Sequence, residues 1–160
     1  MIVADIMSKE QRSKTMGAIR AQSKLENIFT KALWKKGLRF RKNVRKLRGT
    51  PDIVIQKYKI VIFVDSCFWH GCPIHFKRPK SNQEFWDKKI ARNRERDKEV
   101  DEYYIVKGWH LKRIWEHEIR SNIDSAVDET LSFINTAKNS EGSPTKKVAE
   151  QQEPYGNSGD

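Results

Sequence analysis

Apolar residues in the first quarter of the chain recur every three or four positions, a spacing that predicts helices. Ser8 and Gln11 have the spacing of a capping box, so a first short helix is expected over residues 8–19. A second capping box spans residues 23–26 and predicts the start of another helix, which ends at Gly37. The apolar positions of that second helix are Leu25, Ile28, Phe29, Ala32 and Leu33.

Strand patterns follow between residues 38 and 64. Basic and apolar residues alternate over 38–44, as they do in a half-buried strand. Two continuous apolar runs, 52–55 and 60–64, flank a polar turn at 56–59. Uninterrupted apolar runs are typical of strands covered on both faces, so we expect these two strands at the centre of a sheet.

The second half of the chain returns to helices around one further strand. A long charged helix is predicted over 82–107, a strand over 109–115 and a final helix over 122–136. This order of elements predicts an α/β fold in which a mixed sheet lies between two layers of helices. Residues 138–160 are polar and rich in Gly, Pro and Ser, so we predict one domain over 1–137 and a disordered tail over 138–160.

The charge of the chain indicates a polyanionic partner. Its 160 residues include 32 Lys and Arg against 21 Asp and Glu, which gives a net charge of +11. Nine of these cations and no acid lie in residues 31–48, a run suited to contacts with nucleic-acid phosphates, although a solvated face is the alternative. The sequence has no run of 18 apolar residues and no secretory signal, and two cysteines exclude a disulfide scaffold. We therefore expect a cytoplasmic protein, associated with the nucleoid and not with a membrane.

Two carboxylates mark the ends of the central strands. Asp52 begins one of these strands and Asp65 ends the next, so a hairpin brings both side chains to the same edge of the sheet. Hard oxygen ligands of this kind suit Mg²⁺. The alternative is a turn aspartate and a strand-end aspartate that are both in solvent.

Both cysteines of the chain lie in one irregular loop, with a histidine behind them. Cys67, Cys72 and His75 are of the types that zinc prefers, and a structural zinc site needs four ligands. His117 lies beyond the last strand and is the expected fourth ligand, whereas strand alternation makes His110 the poorer choice. A structural zinc site is therefore predicted, with a pair of ordinary buried thiols as the alternative.

The same loop and the long helix carry side chains suited to DNA. Phe68 and Trp69 precede His70. Large apolar side chains held on a rigid loop can insert between base pairs, and the alternative is that both rings pack beneath the loop. His70 lies within reach of the expected Mg²⁺ site and can act as general acid or base on a phosphodiester. One face of the helix combines an aromatic residue, an amide and cations, with an exposed ion-paired helix as the alternative reading. That face comprises Trp86, Lys89, Asn93, Arg96 and Asp97.

Five segments of the chain together resemble the very-short-patch-repair, or Vsr-type, DNA mismatch endonucleases. They occur in the family's order within residues 8–119, and the CFWH sequence with the metal ligands after it is the most specific of their features. The resemblance implies a restriction-endonuclease-like fold and Mg²⁺-dependent nicking of one strand at a T:G mismatch, the product of 5-methylcytosine deamination. Cleavage would leave 5′-phosphate and 3′-hydroxyl ends. The five segments are Arg12–Arg20, Gly49–Ile55, Val61–Phe76, Pro79–Asp97 and Gly108–Glu118.

The resemblance also implies a role for each matching residue at the cleavage site. Asp52 matches the metal-binding aspartate, and His70 matches the catalytic histidine. Glu26 and Asp97 match acids that hold water molecules beside the metal, although Glu26 also has the position of a capping residue.

Further matches concern the DNA and the second metal. Met16 matches an apolar residue that enters the minor groove, and Lys89 and Asn93 match residues that read the mismatched pair. The aromatic wedge is matched by Phe68, Trp69 and Trp86, and the structural zinc site by Cys67, Cys72, His75 and His117.

The chain also departs from the family pattern. The best-known members carry Thr-His where this chain has Val64-Asp65, so Asp65 supplies a second carboxylate and one active-site histidine is absent. This departure motivates an alternative, a nuclease of the same fold that cuts other mismatches or acts as a restriction nickase. A second alternative is a zinc-stapled DNA-binding module without catalysis. For partners, the resemblance implies mismatched double-stranded DNA and a mismatch-repair coupling protein, and the wedge requires only a monomer.

Overall fold

The computed structural model describes residues 8–140, which form four helices and four strands. None of the helices in this range could span a membrane. In chain order the elements are α1 (Lys9–Lys35), β1 (Arg41–Lys42), β2 (Ile53–Ile55), a 3₁₀ turn (Gln56–Tyr58), β3 (Ile60–Asp65), α2 (Gln83–Val106), β4 (His110–Trp115), α3 (Glu116–Ser121) and α4 (Ile123–Ser140).

The four strands form one mixed sheet in the order β1-β2-β3-β4. The first two pairs are antiparallel, and β3 pairs with β4 in parallel. The central position predicted for β2 and β3 is confirmed, and every residue of both strands is buried. Because Ile53 pairs with Ile62, Asp52 and Asp65 lie at the same end of the β2–β3 hairpin.

Helices cover both faces of this sheet. Alternate residues of β3 point to opposite faces, so one apolar strand contributes to two cores. On one face, α2 packs Val100 and Tyr104 against Val61 and Phe63. On the other face, α1, α3 and α4 enclose the larger core. The predicted α/β class, with a mixed sheet between two helical layers, is therefore confirmed. That larger core includes Phe29, Leu33, Ile60, Ile62, Val64, Ile119, Val127 and Ile134.

One long helix replaces the two that the sequence predicted at the N-terminal end. The Ser8–Gln11 capping box is present, with the Gln11 amide donating to the Ser8 hydroxyl at 3.2 Å. The second predicted start, over residues 23–26, is wrong, because α1 continues through it to Lys35. Neither Gly nor Pro occurs between residues 18 and 36, so nothing in that stretch stops a helix. Gly37 follows the helix with a φ of +92°, as a helix end requires.

The other predicted helices and strands are present, with three differences from the sequence-based prediction. The strand expected over 38–44 is reduced to β1, because Asn43 has a φ of +49° and breaks the extended chain. The short helix α3 was not predicted. The start predicted for the tail lies within α4, which extends to Ser140, and residues 141–160 lie outside the described residues.

Candidate active site

A cleft of about 280 Å³ opens at the end of the hairpin where β2 begins and β3 ends. The five acidic and histidine residues predicted to act in cleavage all line it, although they come from α1, the β2–β3 hairpin, the following loop and α2. The structure therefore brings together side chains that are up to 71 positions apart in the sequence. They are Glu26, Asp52, Asp65, His70 and Asp97.

Asp52 is held between the backbone of β3 and a second carboxyl group. Its Oδ2 accepts a hydrogen bond from the Val64 amide at 2.7 Å, and its carboxyl is hydrogen-bonded to that of Glu26 on α1. Burial raises the pKa of Asp52 to about 8, helped by the hydrogen bond and the negative charge of Glu26. The capping role considered for Glu26 is not realised, since Glu26 lies within α1 and faces Asp52.

His70 lies between two carboxylates. Its Nδ1 is 2.6 Å from Asp97 Oδ2, and its Nε2 is 3.7 Å from Asp65 Oδ1. Burial alone would lower the pKa of His70, but the hydrogen bond to Asp97 and the charges of Asp65 and Asp97 outweigh it and raise that pKa. His70 is therefore oriented through one ring nitrogen, with its other nitrogen directed toward Asp65.

Asp65 at the end of β3 is buried and faces two cations. Burial raises the pKa of Asp65 to about 6, against the opposing charges of His70 and Arg113. Arg113 Nη1 donates to both carboxylate oxygens of Asp65, at 3.0 and 3.2 Å. Arg113 on β4 was missed by the sequence analysis, because a cation in this strand does not by itself indicate a buried acidic partner, as the neighbouring Lys112 shows.

The four predicted zinc ligands form a separate cluster beside this cleft. Their ligand atoms all lie within 4.8 Å of one another, and the described residues contain no other group of this kind. Cys67 Sγ and Cys72 Sγ lie 3.3 and 3.5 Å from His117 Nδ1, and Cys72 Sγ lies 3.9 Å from His75 Nδ1. Ligands around one tetrahedral Zn²⁺ would have sulfur and nitrogen about 3.6 Å apart, so the four residues fit such a cation.

The protonation of the two thiols bears on how this cluster could bind a metal cation. Burial raises the pKa of the Cys67 thiol to about 12, so without a cation that thiol keeps its proton. A bound cation is what deprotonates such thiols. His110 does not belong to the cluster, because its Nε2 faces Ser140 Oγ at 3.4 Å.

Three aromatic rings pack together where the loop after β3 meets α2. The ring centroids of Phe68 and Trp69 are 5.1 Å apart, and both contact Trp86, at 5.3 and 5.8 Å. Trp86 is only 6% exposed, whereas Phe68 and Trp69 are half-buried at the surface. Trp86 therefore supports the two rings that the loop presents.

The two residues predicted to read the mismatched pair lie in an adjoining cleft, whereas Met16, predicted to enter the minor groove, does not. Trp69, His70, Lys89 and Asn93 line this second cleft of about 320 Å³. The Asn93 side-chain amide donates to the Trp69 carbonyl at 2.9 Å, which ties α2 to the loop. Met16 lies on α1 with 51% of its surface exposed and lines neither cleft.

Part of the basic run forms the edge of the sheet next to the first cleft. Lys42 of β1 donates to Asn27 Oδ1 at 2.8 Å, beside Glu26 on α1. The Asn43 amide donates to the Asp52 carbonyl at 3.1 Å. A cationic edge strand is therefore continuous with the cleft that holds Asp52.

Comparison with known proteins gives a consistent result. The family model described as DNA mismatch endonuclease Vsr matches residues 4–75. The chain is 43% identical over 122 residues to the type II nicking enzyme V.HpaIIP of Haemophilus parainfluenzae, which covers 74% of this chain and 86% of that protein. It is 40% identical over 129 residues to the type II nicking enzyme V.NaeI of Lentzea aerocolonigenes, covering 77% and 78% respectively.

A third relative carries the family's own name. DNA mismatch endonuclease Vsr of Escherichia coli K12 is 36% identical over 132 residues, covering 81% of this chain and 84% of that protein. These matches span most of both chains, and they include the hairpin, loop and α2 segments that build the cleft. The chain belongs to the Vsr family of DNA mismatch endonucleases.

Proposed function

We propose that this endonuclease nicks one strand of duplex DNA at a T:G mismatch in a reaction that requires Mg²⁺, and so starts very-short-patch repair. The observation that carries the proposal is the His70–Asp97 pair, held at 2.6 Å in the same cleft as Asp52. Hydrolysis adds water to phosphorus and breaks the bond to the 3′ oxygen, leaving 5′-phosphate and 3′-hydroxyl ends.

The acidic side of the cleft fits a hard divalent cation. Asp52 and Asp65 are the proposed ligands, and their carboxylate oxygens are of the type that Mg²⁺ prefers. The buried contact between Asp52 and Glu26 supports the fit, because two such carboxyl groups repel once both are ionised and a cation relieves that repulsion. Bound there, Mg²⁺ would neutralise negative charge on the phosphate during cleavage.

The remaining side chains of the cleft position water and move a proton. Asp97 fixes the His70 ring through Nδ1, which leaves Nε2 to exchange a proton at the reacting oxygen. Glu26 and Asp97 offer carboxylate oxygens that orient water in the cleft. Removing His70 or Asp97 therefore lowers the rate of bond cleavage more than the affinity for DNA.

Recognition is assigned to the surface beside the cleft. Phe68 and Trp69 form the proposed wedge, and Trp86 supports them from below. Lys89 and Asn93 are proposed to read the mismatched pair, and Met16 is proposed to contact the minor groove from α1. The cationic edge at β1 would bind phosphates independently of sequence.

The Cys/His cluster is proposed to hold a structural Zn²⁺. Its two thiols and two imidazoles are preferred zinc ligands, and four protein ligands leave no open position for chemistry. The wedge and the cleft require one copy of the chain, so we propose a monomer that acts on DNA in the cytoplasm. A mismatch-repair coupling protein is its proposed partner.

A second candidate specificity has support from the relatives. Two of those described above are called type II nicking enzymes. The chain also has Asp65 where the best-known family members carry histidine. Nicking of other mismatches, or of paired DNA at a restriction site, is therefore the alternative to strict T:G specificity.

One nicking assay separates these specificities. End-labelled duplexes that differ at one position would carry T:G, U:G, the other mismatches or T:A, with and without Mg²⁺. Cleavage confined to the thymine strand of the T:G duplex, and dependent on Mg²⁺, is the expected result. Equal cleavage of several mismatches or of paired DNA would support the alternative.

Variants connect the assay to named side chains. Asp52→Ala removes cleavage, and Lys89→Met reduces the preference for T:G over T:A. Lys88→Met is the matched control, because Lys88 is exposed on the same helix and pairs with Glu84 at the surface. If Asp52→Ala nicked T:G duplexes at the normal rate, the site assignment would be wrong.

A further inference from the structure

Arg113 is a partly buried cation to which the sequence analysis assigned no role. It lies on β4 opposite Phe63 of β3, with its guanidinium 4.5 Å from the centre of the Phe63 ring. Its side chain is 18% exposed. The neighbouring Lys112 points to the opposite face of the sheet, where its Nζ lies over Phe133.

The guanidinium contacts three acidic residues at once. Nη1 donates to both oxygens of Asp65, and Nε donates to Asp101 Oδ1 at 2.7 Å. Nη2 reaches the Asp97 carbonyl at 3.4 Å, and Nη1 lies 3.8 Å from Asp97 Oδ1. Arginine can make these contacts together because its donors form a planar fork.

Two of these acids are the carboxylates on either side of His70. Asp97 contacts His70 Nδ1 with Oδ2 and faces Arg113 with Oδ1. Asp65 faces His70 Nε2 with Oδ1 and receives Arg113 on both of its oxygens. Arg113, Asp97, His70 and Asp65 thus form a closed ring of contacts, in which Arg113 lies opposite the imidazole.

The charges explain why this position needs a cation. Asp65, Asp97 and Asp101 place three carboxylates around one partly buried space, and each would repel the others without a counterion. Asp65 has the most buried side chain of the three, at 5% exposure, so its negative charge most needs compensation. Arg113 compensates it from the neighbouring strand.

We propose that Arg113 is a positioning residue for strand cleavage, which acts by holding Asp65 and Asp97 so that His70 is fixed between them. The inference rests on the proposed role of His70 in phosphodiester hydrolysis. Arg113 itself need not touch the DNA. Its loss should therefore reduce the cleavage step and leave binding of the substrate largely unchanged.

Two variants of Arg113 test this by the rate of nicking at saturating DNA and by DNA affinity. Arg113→Met keeps the length of the side chain and removes the charge, and it should lower kcat about 100-fold, as misplacement of a reacting group does. The Kd for the same duplex should change less than about threefold. Arg113→Lys keeps the positive charge but loses the planar set of guanidinium donors. Its kcat should therefore still be about 10-fold below that of the unchanged protein.

Lys112→Met is the matched control for charge and strand position, and we expect it to nick at the normal rate. A folded Arg113→Met protein with a kcat within threefold of the unchanged protein overturns the proposal. If Arg113→Met does not accumulate in folded form, Arg113→Lys decides instead. Normal cleavage by Arg113→Lys then overturns the proposal.

A spectroscopic measurement separates this inference from the proposed function. In the DNA-free protein at one fixed pH, the Nδ1 proton of His70 should give a strongly deshielded NMR signal because of its contact with Asp97. That signal should be lost or shifted in Arg113→Met and kept in Lys112→Met. An unchanged signal in Arg113→Met overturns the positioning role, whatever mismatch the enzyme prefers. Absence of nicking by the unchanged protein, with the signal behaving as expected, contradicts the proposed function alone.

Discussion

Asp52 carries an energetic cost in the metal-free protein. The carboxyl is buried against Glu26, and its pKa rises from 3.8 to about 8 in the folded state. The folded state therefore binds the Asp52 proton more tightly than the unfolded state does. The stabilisation that this proton provides is complete below about pH 4 and is lost as the pH rises toward 8.

Asp52→Asn should consequently stabilise the protein while it abolishes nicking. At pH 7 without metal, we expect the free energy of unfolding to rise by about 1–3 kcal/mol, or roughly 5 °C in Tm. The gain should shrink as the pH falls toward 4 and disappear below it, because Asp52 is then protonated in both states. Thermal melts of the two proteins across this pH range measure the difference.

The control for that comparison is Asp128→Asn, an equal change at an exposed position of α4. It should alter neither the melts nor the nicking rate. Added Mg²⁺ should raise the Tm of the unchanged protein more than that of Asp52→Asn. An Asp52→Asn protein that is less stable than its parent at pH 7 would mean that Asp52 is not under this electrostatic strain.

The site side chains differ in how far their positions and contacts can be predicted from the sequence. Asp52, Asp65 and His70 stand within or beside short motifs, and the local pattern was enough to place them at one strand edge. Arg113 has its acidic partners 12, 16 and 48 positions away, so nothing local indicates what it contacts. Only the parallel pairing of β3 with β4 brings it to Asp65.

Helix α1 shows that a sequence with the spacing of a capping box does not always start a helix. Residues 23–26 have the spacing of a capping box, but the preceding residues continue a helix that the Ser8 cap has already started. A cap is useful where backbone amides lack partners, and in the interior of a helix they have them. The two serines therefore have different energetic roles.

Serine-to-alanine changes at these two positions test that difference. Ser8→Ala should cost about 1 kcal/mol, because it removes a cap from the helix end. Ser23→Ala should be neutral or stabilising by up to about 0.5 kcal/mol, because alanine is the better helix former. Chemical denaturation gives both values. A loss of about 1 kcal/mol in Ser23→Ala would restore the two-helix interpretation.

The strands and the turn were predictable for a physical reason. Continuous apolar residues require cover on both faces, so β2 and β3 had to be central. The length of β1 was overestimated, because the alternation of basic and apolar residues over 38–44 does not reveal the positive φ of Asn43. Backbone conformation at one residue, unlike burial, leaves little trace in the pattern of apolar positions.

If the Cys/His cluster binds the proposed zinc, the loop after β3 depends on that metal for its shape. His75→Asn removes a proposed ligand, so we expect the protein to lose most of its bound zinc and part of its solubility. His110→Asn is the matched control, because His110 faces Ser140 outside the cluster. Elemental analysis of the two purified variants measures the metal. Full zinc content in His75→Asn, or its loss in His110→Asn, would show that the ligand set is wrong.

At the scale of the whole protein, a cationic edge at β1 and an aromatic cluster at the loop after β3 both adjoin clefts that contain predicted site residues. If β1 binds phosphates, Arg41→Met with Lys42→Met should reduce the slope of log K against log salt by about 2. The loss should be the same for mismatched and paired DNA. Affinity measured over a range of salt concentrations gives the slope.

A matched pair of lysines provides the control. Lys57 and Lys59 lie in the turn between β2 and β3, at the far end of the hairpin from Asp52. Replacing both by methionine removes the same charge but should leave the slope within about 0.5 of its original value. Equal slopes for the two double variants would exclude β1 as a phosphate-binding edge.

Nine consecutive residues, 67–75, contain three of the four cluster ligands, both half-buried rings of the proposed wedge and His70. If the cluster holds the proposed metal, loss of that metal should disable the proposed recognition and proton transfer in one event, without a partly active form in between. A partly demetallated sample should be a mixture of intact and inert molecules. The amplitude of the first turnover would then fall in proportion to the bound metal, while its rate constant stayed that of the intact enzyme.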